Sequence, residues 1–339
     1  FMPAISSRAE YPIVFNENVS ITADDGVALK TMVARPDADG SFPTVLIRSP
    51  YGSQWSKNSL MEYAKRGIVA VFQETRGRHG SGGTFIPFVY GVVDGGATMR
   101  WIRSQEWSNG DIGATGHSYV GFTALYLTAG DDAAPKSIVA HNPVVSPRGG
   151  LYRGGAMNHH FDLYWSLLVD GTTLNLDYIF EQDWARLFSV LPLNDGHSPV
   201  GRDIPFYRDW TSWANGSFGN GILPKSSQLS AESTAILFVG GWFDLFNNDI
   251  IDSFNRLRGE GRDGTVKLIV GPYDHGLTPP PCEMDFGEWN TLAVSTIMVE
   301  WTDRWMLNAP NGVENMPSVQ FFLLGENRWV SSESWPPEG

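Results

Sequence analysis

Between Val19 and Val145 the chain alternates short apolar runs with stretches of helical spacing. Val19 to Arg35 reads as two strands around the turn Ala23-Asp24-Asp25-Gly26, whose acidic residues and glycine suit a hairpin. After the loop PDADG, the segment FPTVLIRS (Phe42 to Ser49) is a continuous apolar run ending at Pro50-Tyr51, the pattern of a buried central strand. Ser59 to Arg66 reads as a helix stopped by Gly67. A strand IVAVFQET (Ile68 to Thr75) follows, then the glycine-rich loop RGRHGSGG (Arg76 to Gly83) and a helical stretch through Met99, Trp101 and Ile102. DIGATG leads as a strand into Ser118, Tyr119 to Thr128 reads as a helix, and SIVAHNPVV (Ser137 to Val145) as a strand. Such repeated units predict an α/β protein with a doubly wound, mostly parallel sheet and right-handed crossovers.

From Pro147 to Glu232 the rhythm breaks. Tyr152, His159, His160, Tyr164, Trp165, Trp184, Trp210 and Trp213 lie among helical patches there, which predicts an inserted helical cap. Regular units resume with STAILFVGGW, a helix from about Asn248 to Leu257, the strand VKLIVGPY (Val266 to Tyr273) and a long helix from about Asn290 to Leu307. A last strand, SVQFFLL (Ser318 to Leu324), precedes a proline-rich end. The chain thus divides into a first part of the α/β domain (1–146), the cap (147–232), a second part (233–310) and a tail (311–339).

At 339 residues the chain can bury a large core. Hydrophobic residues make up 42% and charged ones 18%, which excludes a disordered chain, and 13 Trp and 19 Phe favour aromatic-lined pockets. A net charge of −13 without a basic cluster argues against nucleic acid as a partner. No apolar run reaches the roughly 18 residues of a membrane span, and FMPAISSRAEYP lacks the features of a signal peptide. Cys282 is the only cysteine, so neither an internal disulfide nor a thiolate metal site is expected. A soluble, cytoplasmic protein fits, although the sequons Asn18-Val19-Ser20 and Asn215-Gly216-Ser217 leave secretion open.

The candidate chemistry centres on GATGHSYVG. It nearly fits the GxSxG nucleophile elbow, but its last glycine, Gly121, comes one place late. A serine hydroxyl needs a base and an orienting acid to become a nucleophile, and in α/β hydrolases these follow in the order Ser, Asp or Glu, His, each after a strand. Asp244 follows the strand ILFVGG, and His275, the only histidine after Asp244, follows the next. Taken singly, Ser118 reads as a helix N-cap, Asp244 as a turn former and His275 as a surface residue. Three matches in the right order, each at a strand end, point to a triad. The backbone N–H of Tyr119 and the phenol of Tyr51, presented by Pro50, are the candidate oxyanion donors. Tyr51 also reads as a core-edge aromatic.

The segments DGVALKTMVARP, RSPYG, QETRGRHGSGGTF, WIRSQEWSNGDIGATGHSYVGFTAL, GGWFDLF and GPYDHG together resemble the family of cocaine esterase, α-amino-acid ester hydrolases and X-prolyl dipeptidyl peptidases. The family's elbow is GxSYxG, which fits Gly116 to Gly121. The resemblance implies an α/β-hydrolase fold with an inserted helical cap, followed by a jelly-roll β-sandwich. It also implies Ser118 as nucleophile, Asp244 as acid, His275 as base, and Tyr51 with the Tyr119 amide as the oxyanion hole. No cofactor is implied. Only the start of the sandwich is present at 311–339, so SVQFFLL is expected to be an exposed edge strand. The chain is then a fragment, or the missing sandwich is supplied or covered by a second chain or homo-oligomer, or replaced by other contacts.

The expected function is a serine hydrolase cleaving a carboxylic ester of a small molecule through an acyl-enzyme, with His117, Trp165, Trp242 and Phe243 as candidate pocket residues. Amide cleavage of the X-prolyl type, acyl transfer, cyclisation or C–C bond cleavage stay open as alternatives, and so does a non-catalytic binding role on a hydrolase scaffold. His159-His160 lacks metal-ligand spacing, and HGSGG lacks the lysine and spacing of a phosphate cradle. Glu74, Arg76 and Asp94 are expected to form ion pairs near the site.

Overall fold

The computed structural model describes residues 10–130, 132–193, 203–212, 226–229, 232–260 and 265–338. Trp213 and the sequon at Asn215 lie outside these residues. The first half carries β1 (Ile13–Thr22), β2 (Ala28–Pro36), β3 (Phe42–Ser49), α1 (Lys57–Lys65), β4 (Val69–Glu74), α2 (Gly91–Arg103), β5 (Ser108–His117), α3 (Tyr119–Leu125) and β6 (Ser137–His141). Next come α4 (Pro147–Leu151), the two-residue strands β7 (Tyr152–Arg153) and β8 (Ala156–Met157), α5 (His159–Val169), α6 (Leu176–Phe180), α7 (Trp184–Phe188) and α8 (Pro205–Thr211). The chain then returns to the sheet through β9 (Ala235–Gly241), α9 (Asn247–Gly259), β10 (Val266–Gly271), α10 (Val294–Leu307), β11 (Val319–Leu323) and β12 (Arg328–Ser332).

Ten of these strands form one sheet in the order β1-β2-β4-β3-β5-β6-β9-β10-β11-β12. The strands from β4 to β11 pair in parallel, whereas β1, β2 and β12 join antiparallel. The central strands are mainly apolar, with Gln73, Glu74 and Lys267 as the polar exceptions, because helices cover both faces: every residue of β4, β9 and β10 is buried. The order reverses at β3. The chain goes from β3 to β4 on one side, then crosses to β5 on the other, and ligands bind outside the carboxyl ends of strands at such a switch. This is the α/β-hydrolase arrangement expected above, with short helices inserted between β6 and β9.

The C-terminal strand departs from expectation. Instead of standing as an exposed edge, β11 is paired on both sides, parallel to β10 and antiparallel to β12. The polar, five-residue RWVSS of β12 carries no apolar alternation, so the sequence pattern does not announce it. Two indoles fasten this region: Trp242 Nε1 donates to the Phe322 carbonyl at 2.6 Å, and Trp329 Nε1 to the Trp289 carbonyl at 2.9 Å.

Candidate active site

Register brings the key residues to one edge of the sheet. His117 pairs with His141, His141 with Val239, and Gly241 with Gly271, so β5, β6, β9 and β10 end at nearly the same level. Ser118 follows β5 directly, Asp244 lies in the turn after β9, and His275 in the loop after β10. Ser118 has φ 58° and ψ −124°, a backbone conformation a non-glycine residue rarely adopts. Its N–H donates to the His141 carbonyl and its carbonyl accepts from Phe122 and Val144, so both neighbouring elements hold the strained turn.

Two glycines let this turn close. A Cβ on Gly116 would lie 2.3 Å from the Val120 carbonyl group, and one on Gly121 would lie 2.7 Å from Pro143 Cβ. Gly121 therefore serves the close approach of α3 to the chain leaving β6. In GHSYVG the second glycine is needed where the helix meets Pro143, and Val120 can occupy the place before it.

His275 Nδ1 lies 2.5 Å from Asp244 Oδ2, and His275 Nε2 lies 2.9 Å from Ser118 Oγ. A carboxylate only accepts, so Nδ1 carries the proton and Nε2 is left to accept from the serine hydroxyl. Asp244 is buried, and its other oxygen accepts from the Phe246 N–H at 2.7 Å. The imidazole packs between the rings of Phe246 and Phe161. Its backbone is fixed as well: the His275 carbonyl accepts from His117 Nε2 at 2.6 Å and from Asn142 Nδ2 at 3.2 Å. Burial, reinforced by the nearby His275, lowers His117 to about 4, and burial takes His141 to about 3. Both imidazoles stay neutral, and His117 acts as the donor that anchors the base-bearing loop.

Burial pushes the Tyr51 phenol up to about 12, against the opposing influence of Trp165 and Ser118 beside it. Trp165 Nε1 donates to the same phenol oxygen at 3.0 Å. An indole N–H can only donate, so Tyr51 accepts from Trp165 and its own proton is directed elsewhere, toward the serine. The Tyr119 N–H opens α3 and is one of the donors a helix leaves without an intrahelical partner. Arg78, in the glycine-rich loop after β4, is fully buried. It donates through Nε to the Pro50 carbonyl at 2.9 Å and through Nη1 to the Val169 carbonyl at 2.6 Å, tying the Tyr51 loop to the end of α5. Arg76 pairs with Asp94 and Asp25 as expected. Glu74 does not: it has no ion-pair partner among the described residues, and burial raises it to about 7.

A pocket of about 330 Å³, open solvent at its mouth included, lies beside Ser118 between the sheet edge and the inserted helices. Trp165, Trp210, Phe88, Phe161 and Phe246 wall it, as the aromatic content predicts. Trp242 and Phe243 are not among its described lining residues. The Trp242 indole is held by the Phe322 carbonyl and packs on Trp335, and the Phe243 ring rests on Phe286, so both face the C-terminal segments. His117 lies behind His275 and does not line the pocket either. Asp162, which sequence reading passed over, does line it. The signal was available: Asp162 falls on the buried stripe of α5 with Trp165, Ser166 and Val169, where an apolar residue belongs. His159 bonds to the Tyr207 hydroxyl and His160 packs on Phe188. Among the described residues no group of three or more His, Cys, Asp or Glu could hold a metal ion, and no helix is long and apolar enough to cross a membrane.

The family model for X-Pro dipeptidyl-peptidase (S15 family) matches residues 25–277, a span that includes Tyr51, Ser118, Asp244 and His275. The chain belongs to this family. Among curated relatives of this S15 chain, cocaine esterase from Rhodococcus sp. (strain MB1 Bresler) is 29% identical over 94% of the chain and 60% of its own length. A putative serine esterase of Mycobacterium bovis is 24% identical over 73% of the chain and 45% of its own. The S15 chain therefore spans at most three-fifths of the length of these relatives. Among solved structures, an α-amino acid ester hydrolase superposes with TM-score 0.73 at 21% identity, covering 98% of this chain and 60% of that one. An aminopeptidase from a marine sediment Thaumarchaeota archaeon gives 0.71 at 23%, covering 99% and 61%. These likenesses establish a shared fold.

Proposed function

We propose that the protein is a serine hydrolase that cleaves carboxylic esters of small molecules through an acyl-enzyme. The observation that carries this reading is the continuous chain of hydrogen bonds Asp244–His275–Ser118 on a serine in a strained turn. His275 Nε2 takes the Ser118 proton as Oγ attacks the substrate carbonyl, and the imidazolium that forms is stabilised by Asp244. The negative charge on the carbonyl oxygen is met by the Tyr119 N–H and the Tyr51 hydroxyl. His275 then returns its proton to the departing alcohol, and water repeats the sequence to release the acid.

Esters are favoured over amides because the leaving alcohol needs little help, whereas an X-prolyl substrate also requires recognition of its free amino terminus. The esterase relatives point the same way. Turnover of nitrophenyl esters and X-Pro anilides by wild type and Ser118→Ala tests the proposal. Ester cleavage that exceeds anilide cleavage and falls by about ten-thousand-fold or more in the variant supports it. Unchanged turnover in the variant removes it, and faster anilide cleavage by wild type makes the protein a peptidase.

A further inference from the structure

Two polar side chains in the Ser118 pocket have no hydrogen-bond partner among the described residues. Asp162 is 1% exposed, and neither carboxyl oxygen has a hydrogen-bond partner. Trp210 is fully buried, and its Nε1–H is likewise unpartnered. Both line the pocket that contains Ser118. Two hydroxyls near Asp162 are engaged elsewhere: that of Tyr207 bonds to His159 Nδ1, and that of Tyr152 donates to the Trp210 carbonyl. An unpaired polar group buried among rings destabilises the free protein, and a bound ligand that pairs with it removes that cost.

Resting on the hydrolase reading, we propose that Asp162 and Trp210 form a specificity site for an apolar acyl group bearing one neutral oxygen acceptor, a ketone, ether or hydroxyl. Among the described residues no cation stands beside Asp162, and burial alone raises it to about 9, so in the free protein it is a carboxylic acid with an O–H to donate. The Trp210 N–H can only donate. Two donors in an aromatic enclosure suit an oxygen lone pair. They do not suit an ammonium group, which would face an N–H and would need Asp162 ionised without other donors to stabilise it. An all-hydrocarbon acyl group would fill the space and leave both donors unsatisfied.

The test uses the full chain and nitrophenyl esters matched in length, whose acyl chains end in a methyl group, a methyl ketone or a primary ammonium, over several chain lengths. At the best length wild type should prefer the ketone to the hydrocarbon ester by roughly five- to tenfold in kcat/KM, the range of one or two neutral hydrogen bonds. Asp162→Asn keeps a donor of the same shape and should keep that ratio. Asp162→Leu should bring it close to one, and Trp210→Phe should lower it. Equal rates for ketone and hydrocarbon esters in wild type overturn the proposal while leaving the hydrolase reading intact. Preference for the ammonium ester, lost in Asp162→Asn, overturns it in favour of a cation site. No turnover of any ester removes the hydrolase reading and this proposal together.

Discussion

Tyr51 and Trp165 lie 114 positions apart, and their hydrogen bond decides which way a phenol proton points. Trp165→Phe keeps the ring against Tyr119 and Trp210 but removes the N–H that holds the phenol as acceptor. The variant should lose about tenfold in kcat with KM little changed, since the bond serves charge that appears only in the transition state. Steady-state kinetics check this, and a double-mutant cycle sharpens it: in a Tyr51→Phe background the same change should cost almost nothing more. Asp162 supports a second test. Its folded state holds a proton up to about 9, whereas an unfolded aspartate releases it near 3.8. The native state binds the extra proton between those values, so Asp162 erodes stability as pH rises, on the order of 1 kcal/mol per pH unit. Melting curves should show Asp162→Asn gaining on wild type steadily from about pH 5 to about pH 8. Ser118, Asp244, His275 and Tyr51 were legible in the chain because each sits at a strand end in a fixed order. Trp165 was legible only as a pocket aromatic, because its partner is set by tertiary contact.

Between β5 and α3 the backbone approach is so close that glycine is required on both sides. Gly121→Ala should place a methyl against Pro143, destabilise the fold by about 1–3 kcal/mol, and impair ester turnover by moving Ser118; thermal melting and kcat measure the two effects. The late glycine of GHSYVG was visible in the sequence, but its neighbour Pro143 was not. The same difference runs through the other elements. Apolar runs marked β3, β4, β9 and β10 well, because strands covered on both faces need nothing else. The strand expected over SIVAHNPVV stops at His141, where Asn142 turns away with positive φ to hold the His275 loop.

Across the whole molecule the largest departure from the sequence reading concerns the tail. A strand expected to lack partners is built into the sheet, and Trp242, expected in the pocket, is one of the side chains that fasten it. Trp242→Phe should therefore lower stability by about 1 kcal/mol through the lost hydrogen bond to Phe322 while KM for esters stays constant; a pocket role would move KM instead. The mostly parallel, doubly wound sheet is legible in alternating units, but this closure depends on contacts between residues about 80 positions apart, which periodicity cannot report. The central claim is that these long-range contacts assemble a nucleophile at Ser118. Its most direct measurement is reaction of the folded protein with a fluorophosphonate, followed by mass spectrometry of the peptides. One label per chain on Ser118, absent from Ser118→Ala and much slower in His275→Ala, is the predicted result; labelling elsewhere, or none in a folded protein, would contradict it.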